Sequence, residues 1–412
     1  MKLFSGFLVI SATLFWGCSP STPELRTGTW RGVLEIQGQQ LPFNFEVEQD
    51  STGGWDVILK NAEERLRLDE VEVQGDSINM VLHVFDAYLR AVVRGDSLIG
   101  LFNLNYNPTY KVPFKAAFGQ NFRFAPMEQN TTVDFTGTYD VQFFNEKDTA
   151  KAIGIFQQNG SHAEGSFLTS SGDYRYLEGS VINDTLHLSA FDGNHLYLFY
   201  AVKTNDSTLR GGHWLGKGRY RPWAGIENKN AKLPDPESLT YLKEGYERIE
   251  FQFPDVDGDT VRWNDEKFKN KVLILQIFGT WCPNCMDETK YLAPWYLQNK
   301  DRGVEILGLA YERKDDFTYA SDRVKKMIEK WNVPYAFVIA GVNDNAKAGE
   351  TLPALNRVVA FPTTIFIGKD GKVKHIHTGF EGPGTGIYHQ QFIERFNQII
   401  NELLAEDLTS RK

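Results

Sequence analysis

The chain has 412 residues, 42% hydrophobic and 24% charged, the balance of an ordinary globular protein with length for two or three domains. A formal charge of −9 and the lack of any basic cluster argue against nucleic acid as a partner, because phosphate binding needs a basic face.

The N-terminus reads as an export signal. Lys2 precedes an apolar run from Leu3 to Trp16, too short for a comfortable transmembrane helix and shaped like a secretory signal, and Gly17-Cys18 closes it. A small residue directly before a cysteine resembles a bacterial lipoprotein signal. That resemblance implies removal of residues 1–17, lipidation of Cys18, and a protein anchored in the bacterial cell envelope, facing the periplasm or exposed on the cell surface. Phe15 and Trp16 depart from the usual pattern, yet they fit an ordinary cleavage site worse. Residues 18–27 then form a short tether.

From Gly28 to Gly225 the chain reads as strands. Alternating runs such as "LPFNFEVEQ" and "LHLSAF" are separated by turn sequences such as "DSTGG" and "RGDS". The region also repeats. "GTWRGVLEI" from Gly28 matches "GTYDVQFF" from Gly137, and two further matches share an offset of roughly 109 residues. The expectation is two β units, 28–125 and 126–226, each a small antiparallel barrel or sandwich of about six to eight strands. Neither offers chemistry: His195 and His213 read as isolated, and Trp30, Tyr139, Trp214 and Trp223 as core.

Pro234 and Pro236 among charged residues mark a linker over 227–247. Beyond it, from 248 to 412, helix and strand alternate. A hairpin turns at Asp257-Gly258, and "KVLILQIF" has the continuous apolar character of a strand buried on both faces. Helices are expected at about Pro283–Leu297, Tyr319–Trp331 and Ile387–Leu404, which gives an α/β sheet covered on both faces.

"GTWCPNCMDE" carries the chemistry. Cys282 falls where the apolar strand hands over to a helix, so the helix N-terminus stabilises a thiolate there. Pro283 suits the first helical position, and Cys285 lies one turn on, within disulfide reach. Cys282 then reads as the exposed nucleophile and Cys285 as the buried thiol that resolves a mixed disulfide. With Cys18 lipidated, no other cysteine remains to form a structural framework. The competing readings are a purely structural disulfide and a metal site completed by His375 and His377. The strand–CxxC–helix setting favours redox work without metal or cofactor.

"LILQIFGTWCPNC" followed downstream by "VVAFPTTIFI" resembles the thioredoxin superfamily, in particular membrane-anchored TlpA/ResA-like thiol-disulfide oxidoreductases. The resemblance implies an α/β thioredoxin fold after the all-β region, and Pro362 in cis opposite the cysteines. It also implies that Trp281, Phe361 and Pro362 contact the substrate. Thioredoxins commonly bury a carboxylate six residues before the first cysteine, where Gln276 stands here. ResA-like members carry a glutamate three residues after the second cysteine, and Glu288 stands there. Its spacing puts it on the Cys285 face of the helix, suited to moving the proton of that thiol, while Asp287 projects away. The implied activity is reduction of disulfides in exported cysteine-containing proteins, apocytochrome c among them, with recharging by a membrane thiol-reductase donor. The rival readings are a disulfide oxidase or isomerase, and a surface binding lipoprotein whose β region does the main work.

Overall fold

The computed structural model describes residues 25–406 apart from positions 69, 127–130, 147 and 219. The signal segment, Cys18 and most of the tether lie outside the described residues.

Nine strands between Gly28 and Phe118 form one antiparallel sheet in the spatial order fourth, third, second, first, ninth, eighth, seventh, sixth, fifth. A second set of nine, between Gly137 and Glu227, winds the same way. In this second set the third strand, His162–Thr169, pairs with both the second and the fifth, which closes a barrel. In the first set no ladder among the described residues joins the corresponding third and fifth strands, and that barrel is nearly closed. The strand number exceeds the expected six to eight partly because pieces such as Glu64–Leu68 and Gly172–Asp173 are too short to show alternation.

Alternation puts one side of each strand inward. Trp30, Phe43, Phe45, Phe102 and Phe114 fill the first barrel, and Tyr139, Phe156, Phe167, Phe199 and Trp223 the second. The barrels are fused, since Phe191, Leu196 and Leu198 of the second lie in the core of the first. Buried Arg123 reinforces the seam, donating to Lys60 O and Glu178 Oε2, both at 2.6 Å.

The C-terminal domain holds a five-stranded sheet in the order Ala336–Val342, Val304–Glu312, Val272–Phe278, Thr363–Ile367, Val373–Thr378. The first three run parallel and the last two antiparallel. Every residue of Val272–Phe278 is buried, as its unbroken apolar run requires. Helices Pro283–Asn299, Phe317–Trp331 and Ile387–Ala405 pack on this sheet, the last through Phe392, Phe396, Ile399, Ile400 and Leu403. A fourth helix, Asn345–Thr351, is too short to announce itself by periodicity. The segment expected as a linker lies against this domain from Glu237 onward, where Glu237 bonds His375 and Arg395 and Lys243 N donates to Ala354 O.

The barrels are not tethered loosely to this domain. Val84 of the first barrel belongs to the C-terminal core, and Asp86 accepts from Tyr319 Oη at 2.9 Å.

Candidate active site

The buried strand ends at Phe278, and the chain reaches the helix through Gly279, Thr280, Trp281 and Cys282. Cys282 is the N-cap: its backbone is extended, and its Sγ accepts from Cys285 N at 3.3 Å, taking up one of the helix's free N–H groups. The Cys282 thiol also points at the Phe361 carbonyl, 3.5 Å away. Pro362 follows with a cis peptide bond. Trp281 is anchored by its indole N–H on Tyr311 O at 2.7 Å and meets the Phe361 ring edge-on at 5.4 Å. Both thiols are free, and Cys285 is fully enclosed. Burial, reinforced by Cys282, holds the Cys285 thiol well above its ordinary range.

One expectation is corrected. Cys282 is only 6% exposed. The second barrel stands at this end of the helix: its hairpin through Ser170–Ser171 is seated beside Asn284, and its residues share a cleft with Cys282. Asn284, between the two cysteines, donates to Asp173 O at 3.2 Å, and Gly382 N donates to the Asp173 carboxylate at 2.6 Å. Gly172 has φ +130°, and a Cβ there would stand 3.1 Å from Asn284 Nδ2, so glycine permits both the turn and the approach.

Next to this hairpin, Arg175 is buried and binds one carboxylate from each part of the molecule. It pairs with Glu64 of the first barrel, Asp192 of the second, and Asp287 of the active-site helix, the last two at 3.1 and 2.7 Å. Asp287 does project away from Cys285, and Arg175 is what it meets. Neither Arg175 nor Asp173 is visible as a site residue in the sequence, because each lies far from the cysteines in a stretch that reads as plain β-hairpin.

Beneath the cysteines lies a buried polar group. Glu288 accepts from Gln276 Nε2 at 2.8 Å and from the Thr364 hydroxyl, and Gln276 accepts from Tyr335 Oη at 3.2 Å. Burial pushes the Glu288 carboxyl up to about 7, so it exchanges a proton near neutrality. Glu288 thus stands where a helix turn from Cys285 was expected to put it. A second acid was missed. Glu312, at the end of the neighbouring strand, accepts from Thr280 N at 2.7 Å and Thr280 Oγ1 at 2.9 Å, and burial pushes it too up to about 7. His375 and His377, weighed as metal ligands, are instead bonded to Glu237 and Glu381 at 2.7 and 3.0 Å.

Residues 239–390 match the family model described as Redoxin. Thiol-disulfide oxidoreductase ResA of Bacillus thuringiensis subsp. konkukian is 31% identical over 129 residues, which cover 31% of this chain and 66% of that protein. Thiol:disulfide interchange protein DsbE of Vibrio cholerae serotype O1 is 29% identical over 151 residues, covering 37% of this chain and 73% of its own length. A thioredoxin family thiol:disulfide interchange protein from Chlorobium tepidum TLS superposes with a TM-score of 0.29 at 20% identity, covering 40% of this chain and 99% of that one. The chain therefore spans 66% of the length of the first ResA relatives it matches. The fold and the site define a thioredoxin-superfamily domain. Within that superfamily, the C-terminal part of this chain is similar to the ResA and DsbE thiol-disulfide oxidoreductases.

Proposed function

We propose that the protein is a thiol-disulfide oxidoreductase that reduces disulfides in exported cysteine-containing proteins, with Cys282 as nucleophile and Cys285 as resolving thiol. The observation that carries this reading is the Cys282 Sγ at the helix N-cap, 3.3 Å from Cys285 N, with Cys285 enclosed behind it.

The Cys282 thiolate attacks one sulfur of the substrate disulfide, forming a mixed disulfide and expelling the other sulfur as a thiolate, which takes up a proton. Cys285 then gives up its proton and attacks Cys282 Sγ, which releases the second substrate thiol and leaves a Cys282–Cys285 disulfide. Two electrons pass to the substrate, and a membrane-bound dithiol donor must return them. Glu288 is suited to accept the Cys285 proton, because its carboxyl titrates near neutrality and its charge acts on the Cys285 thiol. Trp281, Phe361 and Pro362 flank the Cys282 sulfur and would receive the substrate chain. Lipidation of Cys18 would hold the protein at the envelope membrane; among the described residues no helix is long and apolar enough to cross one.

Cys285→Ser tests the role assignment. The variant should accumulate mixed disulfides through Cys282, resolved by dithiothreitol on a non-reducing gel. Failure to trap any, with Cys282→Ser retaining wild-type disulfide reduction, would exclude the mechanism. The measured reduction potential of the couple decides direction: a value near thioredoxin's, about −270 mV, supports a reductase, and one near about −120 mV an oxidase.

A further inference from the structure

Cys282 opens onto a cleft of about 450 Å³, and more than half of its wall belongs to the second barrel. Trp281, Pro283, Ala360 and Phe361 line one side; Phe143, Tyr174, Tyr197, His213 and Arg221 line the other. The cleft thus runs from the nucleophile into the open mouth of a closed barrel.

Two residues at that mouth lack partners among the described residues. His213 is 1% exposed, packed between the Phe143 and Phe199 rings at 4.8 and 5.0 Å, and neither ring nitrogen has a hydrogen-bond partner there. A buried imidazole left in this state costs free energy comparable to a lost hydrogen bond, so the site is incomplete as it stands. Arg221 is the direct cross-strand neighbour of His213, so the two side chains rise from the same face of the barrel wall. Arg221 is exposed and makes no ion pair with any described residue. Burial and the nearby Arg221 charge push His213 down to about 3, which keeps the ring neutral and able to donate from one nitrogen. A guanidinium and an imidazole N–H side by side, walled by aromatic rings, suit a carboxylate.

We propose that the mouth of the second barrel is a side-chain subsite of the dithiol site, and that it selects polypeptide disulfides carrying an acidic residue close to the cysteine attacked by Cys282. The inference rests on the oxidoreductase reading and adds a substrate preference to it. It also gives the β region a part in the reaction, with the barrel supplying recognition and the C-terminal domain supplying the thiols.

The test uses the full chain and two synthetic peptides, each with one disulfide, differing only by glutamate or glutamine beside the bridged cysteine. Hydroxyethyl disulfide, small and uncharged, serves as the third substrate. The expected kcat/KM ratio of the acidic over the amide peptide is about tenfold, the size of one charge-assisted hydrogen bond. It should fall towards one in Arg221→Gln and drop below one in Arg221→Glu, mainly through KM. A wild-type ratio of one overturns the subsite, and this comparison stands even where a variant fails to fold. A tenfold ratio that persists in both Arg221→Gln and His213→Phe also overturns it, since the preference then arises elsewhere. Inability of the wild type to reduce hydroxyethyl disulfide sinks the oxidoreductase reading itself, separately from the subsite.

Discussion

Arg175 Nε donates to Asp287 Oδ2 at 2.7 Å, and so a side chain of the second barrel grips the active-site helix two residues past Cys285. The same guanidinium holds Glu64 and Asp192. Three domains meet on one buried cation.

Removing that cation leaves three carboxylates facing each other out of water. Arg175→Met should cost about 3–5 kcal/mol, the usual penalty for breaking a buried charge pair from one side. The loss should shrink as pH falls, because protonating the orphaned acids relieves their repulsion. Urea unfolding of wild type and variant at pH 5 and pH 8 reads both effects; an equal loss at the two pH values would show that charge is not what the site manages.

Thiol accessibility gives a second expectation. Cys282 is slightly exposed and Cys285 not at all, so iodoacetamide should alkylate Cys282 first, with Cys285 reacting only after denaturation. Because the barrel hairpin packs on Asn284, two residues past Cys282, Gly172→Val should open that contact and speed alkylation of Cys282. Peptide mapping by mass spectrometry follows each site, and faster labelling of Cys285 in the folded protein would reverse the roles assigned here.

Glu288 carries the pH prediction. Its folded value, about 7, lies above the ordinary carboxylate value of 4.5, so folding favours the protonated form. The stability this contributes is complete below about pH 4.5 and is lost as pH rises through about 7. Glu288→Gln should therefore gain on the wild type between pH 5 and pH 8.5, by up to ~3 kcal/mol. The Cys285 thiol should also become easier to ionise in the variant, since a neighbouring negative charge is gone. Thermal melts and a thiolate absorbance titration at 240 nm check the two halves, and parallel curves for both proteins would reduce Glu288 to packing.

The anchor is tested in cells. Cys18→Ala should release the protein from the membrane fraction or leave an unprocessed precursor, seen by fractionation and by a change in gel mobility. A mature N-terminus other than Cys18 would refute lipidation.

What could be read ahead of the structure was whatever chemistry is local in sequence. Cys282, Cys285 and Glu288 share one helix, so their spacing alone predicts their relation. Pro362 was placed by its motif, and the turn at Asp257-Gly258 by its residue pair. The barrel surface beside Cys282 was illegible for the opposite reason. Gly172, Asp173 and Arg175 reach the site only because a barrel closes and then docks, and a hairpin read alone looks like any other. Glu312 escaped notice because its partner Thr280 lies 32 residues away on the neighbouring strand's loop. His213 read as an isolated histidine without chemistry; what sets it apart is that neither ring nitrogen has a partner among the described residues, which no sequence pattern encodes.

The near-enclosure of Cys282 also constrains traffic. Its sulfur faces the cleft shared with the second barrel, and Cys285 is enclosed behind it. On the proposed reading, the protein that delivers electrons and the protein that receives them would use this one doorway and take turns. Under the proposed function, the chain would work as a shuttle that is loaded, vacated and unloaded, with ping-pong kinetics and mutual competition between its two clients for the same threshold.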